Sequence, residues 1–168
     1  GFLKAPNNER MKFYLMLANH DVNLLWNNKE PDKNAKILWN ADISYDEFTK
    51  VLVPRFIEYF KKPNYYKIDN KPVLGVFLIS NMIRGMGSAE KTKEALEYFR
   101  AECKKAGFDG LHLMSMTGSH RNLNREIESD KKPSAKKAID YLGIDSVTFY
   151  NWGGARDKGY AQWREDNM

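Results

Sequence analysis

Four short apolar runs, each followed directly by polar and aromatic residues, constrain the fold of this chain more than any other feature. The runs cover residues 13–18, 73–79, 111–114 and 147–149. Amphipathic, helix-like stretches lie between them, and such alternation is typical of parallel strands joined by helical crossovers. We therefore predict an α/β fold with a parallel sheet. The spacing of the runs fits both an open sheet and part of an eight-stranded (β/α)8 TIM-type barrel.

The predicted sheet also indicates where a functional site would lie. We place four parallel strands, adjacent in chain order, near residues 12–18, 73–79, 110–116 and 145–149. The carboxyl ends of such strands meet at one edge, where ligands bind in folds of this kind. The polar and aromatic residues that follow the first and last strands are Asn19, His20, Asp21, Tyr150, Asn151 and Trp152. We expect the site at this rim.

Local signals predict the bounds of two helices. Ser44 opens a capping box before a helical apolar pattern over residues 48–60. Pro54 lies inside that pattern, so we expect the helix to kink or restart there. Ser88 is placed to cap the next helix at its start, and Gly107 to cap it at its end.

Composition and charge argue against two classes of partner. The chain has 168 residues, which suits a single domain or a piece of a larger one, and its net charge is +5. The lysines are dispersed among acidic residues along polar helix faces, so we interpret the charge as a solvated surface and expect no nucleic-acid partner. No apolar run approaches the length of about 20 residues that spans a bilayer, so we expect no membrane partner.

Several reactive residue types lack the spacing that their chemistry needs. Cys103 is the only cysteine and lies in a helical apolar pattern, so we expect buried packing. His20, His112 and His120 are widely separated and form no metal-ligand motif. Neither a nucleophile-elbow Gly-x-Ser-x-Gly nor a phosphate-binding glycine motif occurs. We expect no metal ion and no cofactor.

Four segments together resemble one known family. They cover residues 12–21, 59–73, 98–112 and 142–152, in that order along nearly the whole chain. Each resembles a stretch of the glycoside hydrolase family 99-like proteins, also called WbsX-like. The first matches an apolar strand that ends in Ala-Asn-His-Asp. The second matches a hairpin of the form Tyr-Phe…Ile-Asp-Gly-Lys-Pro, in which Asn70 replaces the glycine, a change that a left-handed turn tolerates.

The resemblance implies a (β/α)8 barrel and carbohydrate-active chemistry related to endo-acting mannosidases, with a glycan or oligosaccharide as partner. It also implies an incomplete barrel, with earlier strands before Gly1 and the family's paired glutamates beyond Met168; Glu165 does not match their motif. We therefore expect residues 1–168 to line a sugar site without supplying its acid/base pair. A non-catalytic carbohydrate-binding or structural domain, or a polysaccharide-biosynthesis protein, is the alternative.

Each candidate residue has a functional and a structural interpretation. Asn19, His20 and Asp21 can hydrogen-bond sugar hydroxyls, or they can order the rim loop. Tyr150, Asn151 and Trp152 can stack on a sugar ring and bond its edge, or lie buried beneath the loops. His112 can point into a barrel lumen or pack as a satisfied core histidine. For Trp26 and Trp39, which bracket the first rim loop, we expect packing rather than stacking on a sugar.

An incomplete barrel has a further consequence. Its two terminal strands would leave unpaired sheet edges and an apolar inner face. We expect self-association through these open edges, or pairing with strands from another chain. No export signal is visible in this chain, and the abrupt start at Gly1 leaves export of the protein open.

Overall fold

The computed structural model describes residues 1–23, 37–116 and 135–148. Two short 3-10 turns, Phe2–Lys4 and Asn8–Arg10, precede the first strand. The elements that follow, in chain order, are β1 (Leu15–Leu17), β2 (Val22–Asn23), β3 (Ile37–Trp39), α1 (Tyr45–Glu47), a π-helical segment (Phe48–Leu52), α2 (Val53–Phe60), β4 (Lys67–Ile68), β5 (Lys71–Val76), α3 (Ile79–Met86), α4 (Ala89–Lys105), β6 (His112–Met116), α5 (Ala135–Leu142) and β7 (Ser146–Thr148).

A parallel sheet lies at the centre of the described fold. Its strands stand in the order β1, β5, β6, β7, and every neighbouring pair is parallel. Leu17 is opposite Val76, Val76 is opposite Ser115, and Ser115 is opposite Val147. The predicted α/β fold with a parallel sheet and helical crossovers is therefore confirmed, and the arrangement is compatible with part of a TIM-type barrel.

The strands are shorter than the sequence predicts, most clearly at the second apolar run. That run was expected to be a strand to residue 79, but β5 ends at Val76 and Ile79 already begins α3. At this point the side chain of Asn19 bonds both the N–H and the carbonyl of Leu78, the residue directly before α3, and so takes the place of a strand partner there. A continuous apolar run does not distinguish a buried strand from the buried helix that follows it.

The helical stretch over residues 45–60 starts and restarts as predicted. The backbone N–H of Glu47 donates to Ser44 Oγ at 3.2 Å, which caps α1. The π-helical segment then widens the helix, and α2 begins with Pro54 in its first turn. Because proline has no N–H to donate, it fits the first turn of a helix and not its interior. The predicted restart at Pro54 is confirmed.

The predicted caps of α4 and the predicted hairpin are also confirmed. Lys91 N–H donates to Ser88 Oγ at 3.1 Å, and Gly107 ends the helix in a left-handed conformation with φ of 92°. The antiparallel pair β4 and β5 is joined by Asp69 and Asn70, whose φ angles are 47° and 55°. Asp and Asn tolerate such angles better than other residues with a side chain, so this tight turn forms without glycine.

The helices cover one face of the sheet and form the core there. Phe60 and Phe99 stack with their ring centroids 5.8 Å apart, and both are fully buried beside Leu74 and Leu113. Cys103 is also fully buried, and burial raises the pKa of its thiol to about 12. Cys103 therefore packs in the core as predicted, because a thiol that stays protonated is a poor nucleophile.

The other face of the sheet carries a row of small and flexible side chains. Met16 lies opposite Gly75, and Gly75 lies opposite Met114. Side chains alternate along a strand, so these residues point away from the faces that Leu74 and Leu113 present to the helices. In a closed barrel this second face would line the lumen.

Candidate functional site

A cavity of about 240 Å³ lies where the carboxyl end of β1 meets the segment after β3. The antiparallel ribbon of β2 and β3 stands beside it, with Val22 opposite Trp39. We call it the rim cavity, and the polar or aromatic residues that line it are Asn19, His20, Trp39, Asn40, Asp42 and Glu47. Its position is the one where α/β folds place their ligands.

Asn19 connects the end of β1 to the start of α3. Its Nδ2 donates to the carbonyl of Leu78 at 2.6 Å, and the N–H of Leu78 donates to its Oδ1 at 2.9 Å. Asn81 Nδ2 donates to the backbone carbonyl of Asn19 at 2.9 Å. Asn19 is buried, and both ends of its amide are engaged by backbone. These contacts give Asn19 a role in ordering the rim.

Asp21 is held by the backbone of one segment and by a side chain from another. Ala41 N–H donates to Asp21 Oδ1 at 2.9 Å, and Arg84 Nη2 lies 2.8 Å from Oδ1 and 3.1 Å from Oδ2. The hydrogen bond from Ala41 and then that from Arg84 lower the pKa of the Asp21 carboxyl below its ordinary range. Asp21 therefore stays ionised and fastens residues 40–42 to the end of β1.

Arg84 binds a second carboxylate in the same place. Its Nε lies 2.5 Å from Asp42 Oδ1, and its Nη2 donates to Asn40 Oδ1 at 3.3 Å. Asn40 Nδ2 in turn donates to Asp42 Oδ2 at 3.0 Å. We call Asp21, Asn40, Asp42 and Arg84 the Arg84 cluster. No local sequence pattern predicts this cluster, because its members come from three separate segments.

The rim segment also depends on a close approach by α3. A Cβ added to Gly85 would lie 2.5 Å from the backbone nitrogen of Ile43 and 2.6 Å from its carbonyl oxygen. Real Cβ atoms do not approach backbone that closely, so only glycine allows α3 to contact this segment. The contact brings Arg84, the neighbouring residue, within reach of Asp21 and Asp42.

His20 differs from its two neighbours because its side chain is exposed. Its Nδ1 lies 3.3 Å from the carbonyl oxygen of Asp21, and its ring packs edge-on against Phe77 with centroids 5.5 Å apart. These contacts orient the imidazole and leave it at the wall of the rim cavity. An imidazole can donate or accept a hydrogen bond.

The structure places His112, another predicted site residue, away from this cavity. His112 begins β6 at the amino end of the sheet, where its Nε2 lies 2.9 Å from Ser146 Oγ. Asp145 lies at the same end and accepts a hydrogen bond from Leu113 N–H at 2.8 Å. Tyr150, Asn151 and Trp152 lie outside the described residues, as do Trp26 and His120.

Within residues 1–23, 37–116 and 135–148, no group of three or more His, Cys, Asp or Glu side chains is placed to hold a metal ion. Over the same part of the chain, no helix has both the length and the apolar character needed to cross a membrane.

Comparison with protein families gives a match over most of the chain. A family model described as glycosyltransferase WbsX matches residues 2–149. No curated protein and no solved structure matches the chain. The matched residues include every element from β1 to β7 and the whole of the rim cavity.

Proposed function

We propose, from the premise that this chain belongs to the family of WbsX glycosyltransferases, that it binds a glycan at the rim cavity. Membership of the family makes the chain a carbohydrate-active protein and confirms the WbsX part of the resemblance found in the sequence. Its place in glycoside hydrolase family 99 remains part of the proposal. The substrate we propose is a glycan of the type cut by endo-mannosidases.

The exposed side chain of His20 carries the proposal. The side chain of Asn19 is hydrogen-bonded to the backbone of Leu78, and the carboxylate of Asp21 is paired with Arg84. These two residues therefore support the rim and give it a fixed shape. His20 is left to bond a hydroxyl of a sugar in the cavity. A rigid support behind an exposed polar group is the arrangement that ligand sites generally need.

The proposed reaction is glycoside hydrolysis, with this chain supplying substrate contacts and other residues the acid/base pair. Hydrolysis typically uses two carboxyl groups roughly 5–10 Å apart. At the rim cavity, Asp21 and Asp42 are paired with Arg84, and an ionised, paired carboxylate is a poor proton donor. Among the described residues that line the cavity, Glu47 is the remaining carboxylate, and one carboxylate does not make a pair. We therefore propose that the catalytic carboxylates lie outside this chain.

Glycosyl transfer in polysaccharide biosynthesis is the second candidate, and the description of the matched family favours it. A transferase of this kind would bind an activated sugar as well as an acceptor glycan. A non-catalytic glycan-binding domain is a third possibility and predicts binding without turnover in any context. The three differ in which ligands bind and in whether a bond is broken.

The remaining predicted residues enter the proposal differently. Tyr150, Asn151 and Trp152 are proposed to contact the glycan, on the sequence argument alone. His112 was predicted to contact it too, but it lies at the amino end of the sheet. We therefore leave His112 out of the rim site and use it as a matched control.

Calorimetric titration of the 168-residue chain with α-mannan oligosaccharides tests the proposal. We expect measurable binding, a loss of about tenfold in affinity for His20→Gln, and unchanged affinity for His112→Gln. Equal losses in the two variants would place the site elsewhere, and the absence of glycan binding would contradict the proposal. Release of reducing sugar by residues 1–168 would show that the acid/base pair lies within this chain.

A further inference from the structure

Trp39 is the largest exposed side chain at the rim cavity. It ends β3, it is 72% exposed, and it lines the cavity together with His20. The sequence led us to expect packing for this residue, so its exposure is a difference that the structure reveals. An exposed indole offers a flat apolar face, and pyranose rings present a matching apolar face of C–H groups.

The polar groups around Trp39 suit the hydroxyls of such a ring. Glu47 lines the same cavity, in the first helical turn that Ser44 caps. A carboxylate accepts hydrogen bonds from hydroxyls, and the imidazole of His20 can donate or accept one. The volume of about 240 Å³ is below the range of roughly 300–1,000 Å³ found for drug-sized ligands, which suits one sugar residue of a longer glycan.

The charges at the cavity disfavour an anionic ligand. Among the described residues that line it, Asp42 and Glu47 are acidic. The cation beside it is Arg84, whose charge is paired with two carboxylates: its Nη2 contacts Asp21 and its Nε contacts Asp42. Proteins bind phosphate through free Arg or Lys side chains or through backbone N–H groups at helix starts. The described wall of the cavity does not present a free cation for that purpose.

We propose that the rim cavity is a subsite for one neutral pyranose residue, stacked on Trp39 and hydrogen-bonded by His20 and Glu47, and that it does not take a nucleoside diphosphate sugar. The inference rests on the proposed glycan-binding function and adds the charge class of the ligand and the residue that holds its ring. It also separates a glycan substrate from an activated sugar donor.

The experiment compares ligands and variants in the 168-residue chain. Neutral mannose and glucose oligosaccharides, guanosine diphosphate mannose and uridine diphosphate glucose are titrated by calorimetry. We expect Trp39→Ala to weaken oligosaccharide binding about tenfold and Trp39→Phe to retain most of it, since phenylalanine keeps an aromatic face. Tyr98→Ala, which removes an exposed aromatic ring from α4 away from the cavity, should leave binding unchanged.

A second measurement does not depend on the alanine variant folding. The indole N–H resonance of Trp39, assigned from its disappearance in Trp39→Phe, should shift when neutral oligosaccharide is added to the unaltered protein. The nucleotide sugars should bind no more tightly than the free sugars, and guanosine diphosphate should not compete with oligosaccharide.

The outcomes distinguish this inference from the function on which it rests. Oligosaccharide binding that survives Trp39→Ala, with no shift of the indole resonance, would overturn the subsite and leave glycan binding intact. Tight binding of nucleotide sugars displaced by guanosine diphosphate would overturn the inference and favour glycosyl transfer. Failure of every sugar to bind would overturn the inference together with the proposed function.

Discussion

Asp21 and Arg84 make the contact that most directly fixes the shape of the rim cavity. The guanidinium bridges carboxylates from two segments, and each segment supplies a wall of the cavity. Because these side chains are partly exposed, their contribution to overall stability is small. Their effect is on the position of His20 and of residues 39–42.

The first prediction at this scale removes the cation. Arg84→Met leaves Asp21 and Asp42 to repel one another, so the rim segment should loosen. We expect oligosaccharide affinity to fall by about three- to tenfold, with a small change in the thermal midpoint. Lys50→Met is the matched control, because it breaks the exposed pair of Lys50 with Asp46. Equal effects of the two variants on binding would contradict a positioning role for Arg84.

The second prediction concerns how the stability of the fold depends on the ionisation of Asp21 at low pH. The pKa of Asp21 is lower in the folded protein than its ordinary value of about 3.9. The stabilisation from its ionised form is therefore complete above that value and is lost as the pH falls through the lower folded pKa. Thermal midpoints of the wild type and Asp21→Asn should differ by a constant amount above about pH 5 and converge below about pH 4. A difference between the two thermal midpoints that grows as the pH falls would contradict a lowered pKa for Asp21.

At the scale of elements, α3 and the segment that follows β3 depend on each other. The backbone of α3 at Gly85 packs directly against the backbone of Ile43, with no room for a side chain between them. The bond from Asn81 to Asn19 adds a second link between α3 and the end of β1. The site is thus built on a helix that the sequence did not predict.

The third prediction tests that contact. An exposed helical Gly→Ala change usually stabilises a helix by up to about 1 kcal/mol. Gly85→Ala should instead destabilise the fold by about 1–3 kcal/mol, because the new methyl group would overlap the backbone of Ile43. Gly75→Ala is the comparison, since a Cβ there would lie 3.4 Å from Met16 Cγ, an ordinary contact distance. Denaturant titration of both variants measures the difference.

Several elements were predictable because a local signal fixes each of them. Residues with capping chemistry marked the helix ends: Ser44, Ser88 and Gly107. The hairpin was marked by Asp69 and Asn70, which tolerate left-handed turn angles. Helix α3 was missed because its first residues continue an apolar run. The ribbon of β2 and β3 was missed because strands so short carry little periodicity.

The candidate site was predictable in position and less so in composition. The rim at the end of β1 followed from the parallel fold, and His20 with it. The hydrogen bonds that fix Asn19 come from Leu78, and those that fix Asp21 come from Ala41 and Arg84. All three partners are distant in sequence. The exposure of Trp39 depends on the ribbon. Such contacts are tertiary, so a single sequence does not encode them in any local pattern.

At the scale of the whole molecule, the described sheet ends in two strands that each have one neighbour. Within residues 1–23, 37–116 and 135–148, β1 pairs with β5 in this sheet and β7 pairs with β6. Met16, on the face away from the helices, is 39% exposed. We propose that copies of the chain associate through these edges, because unpaired strand edges readily accept further strands.

The fourth prediction follows from this proposal. Sedimentation velocity should show a mass that rises with protein concentration. Leu15 and Leu17 direct their backbone polar groups inward, to Tyr65 and Phe77, so Met16 between them directs its N–H to the open edge of β1. Met16→Pro should therefore reduce the association, because proline removes that donor. Thr148→Pro at the other edge provides the corresponding test for β7. A single monomeric species at all concentrations would contradict association through the edges.

We propose that a glycan binds at the carboxyl end of β1 and not elsewhere on the sheet. Mapping of backbone amide resonances during titration with a neutral oligosaccharide tests this most directly. We predict shifts concentrated in residues 18–22, 39–47 and 77–84, with none at the amino-end residues His112 and Asp145. Shifts centred on His112 and Asp145, or no shifts at saturating glycan, would contradict the claim.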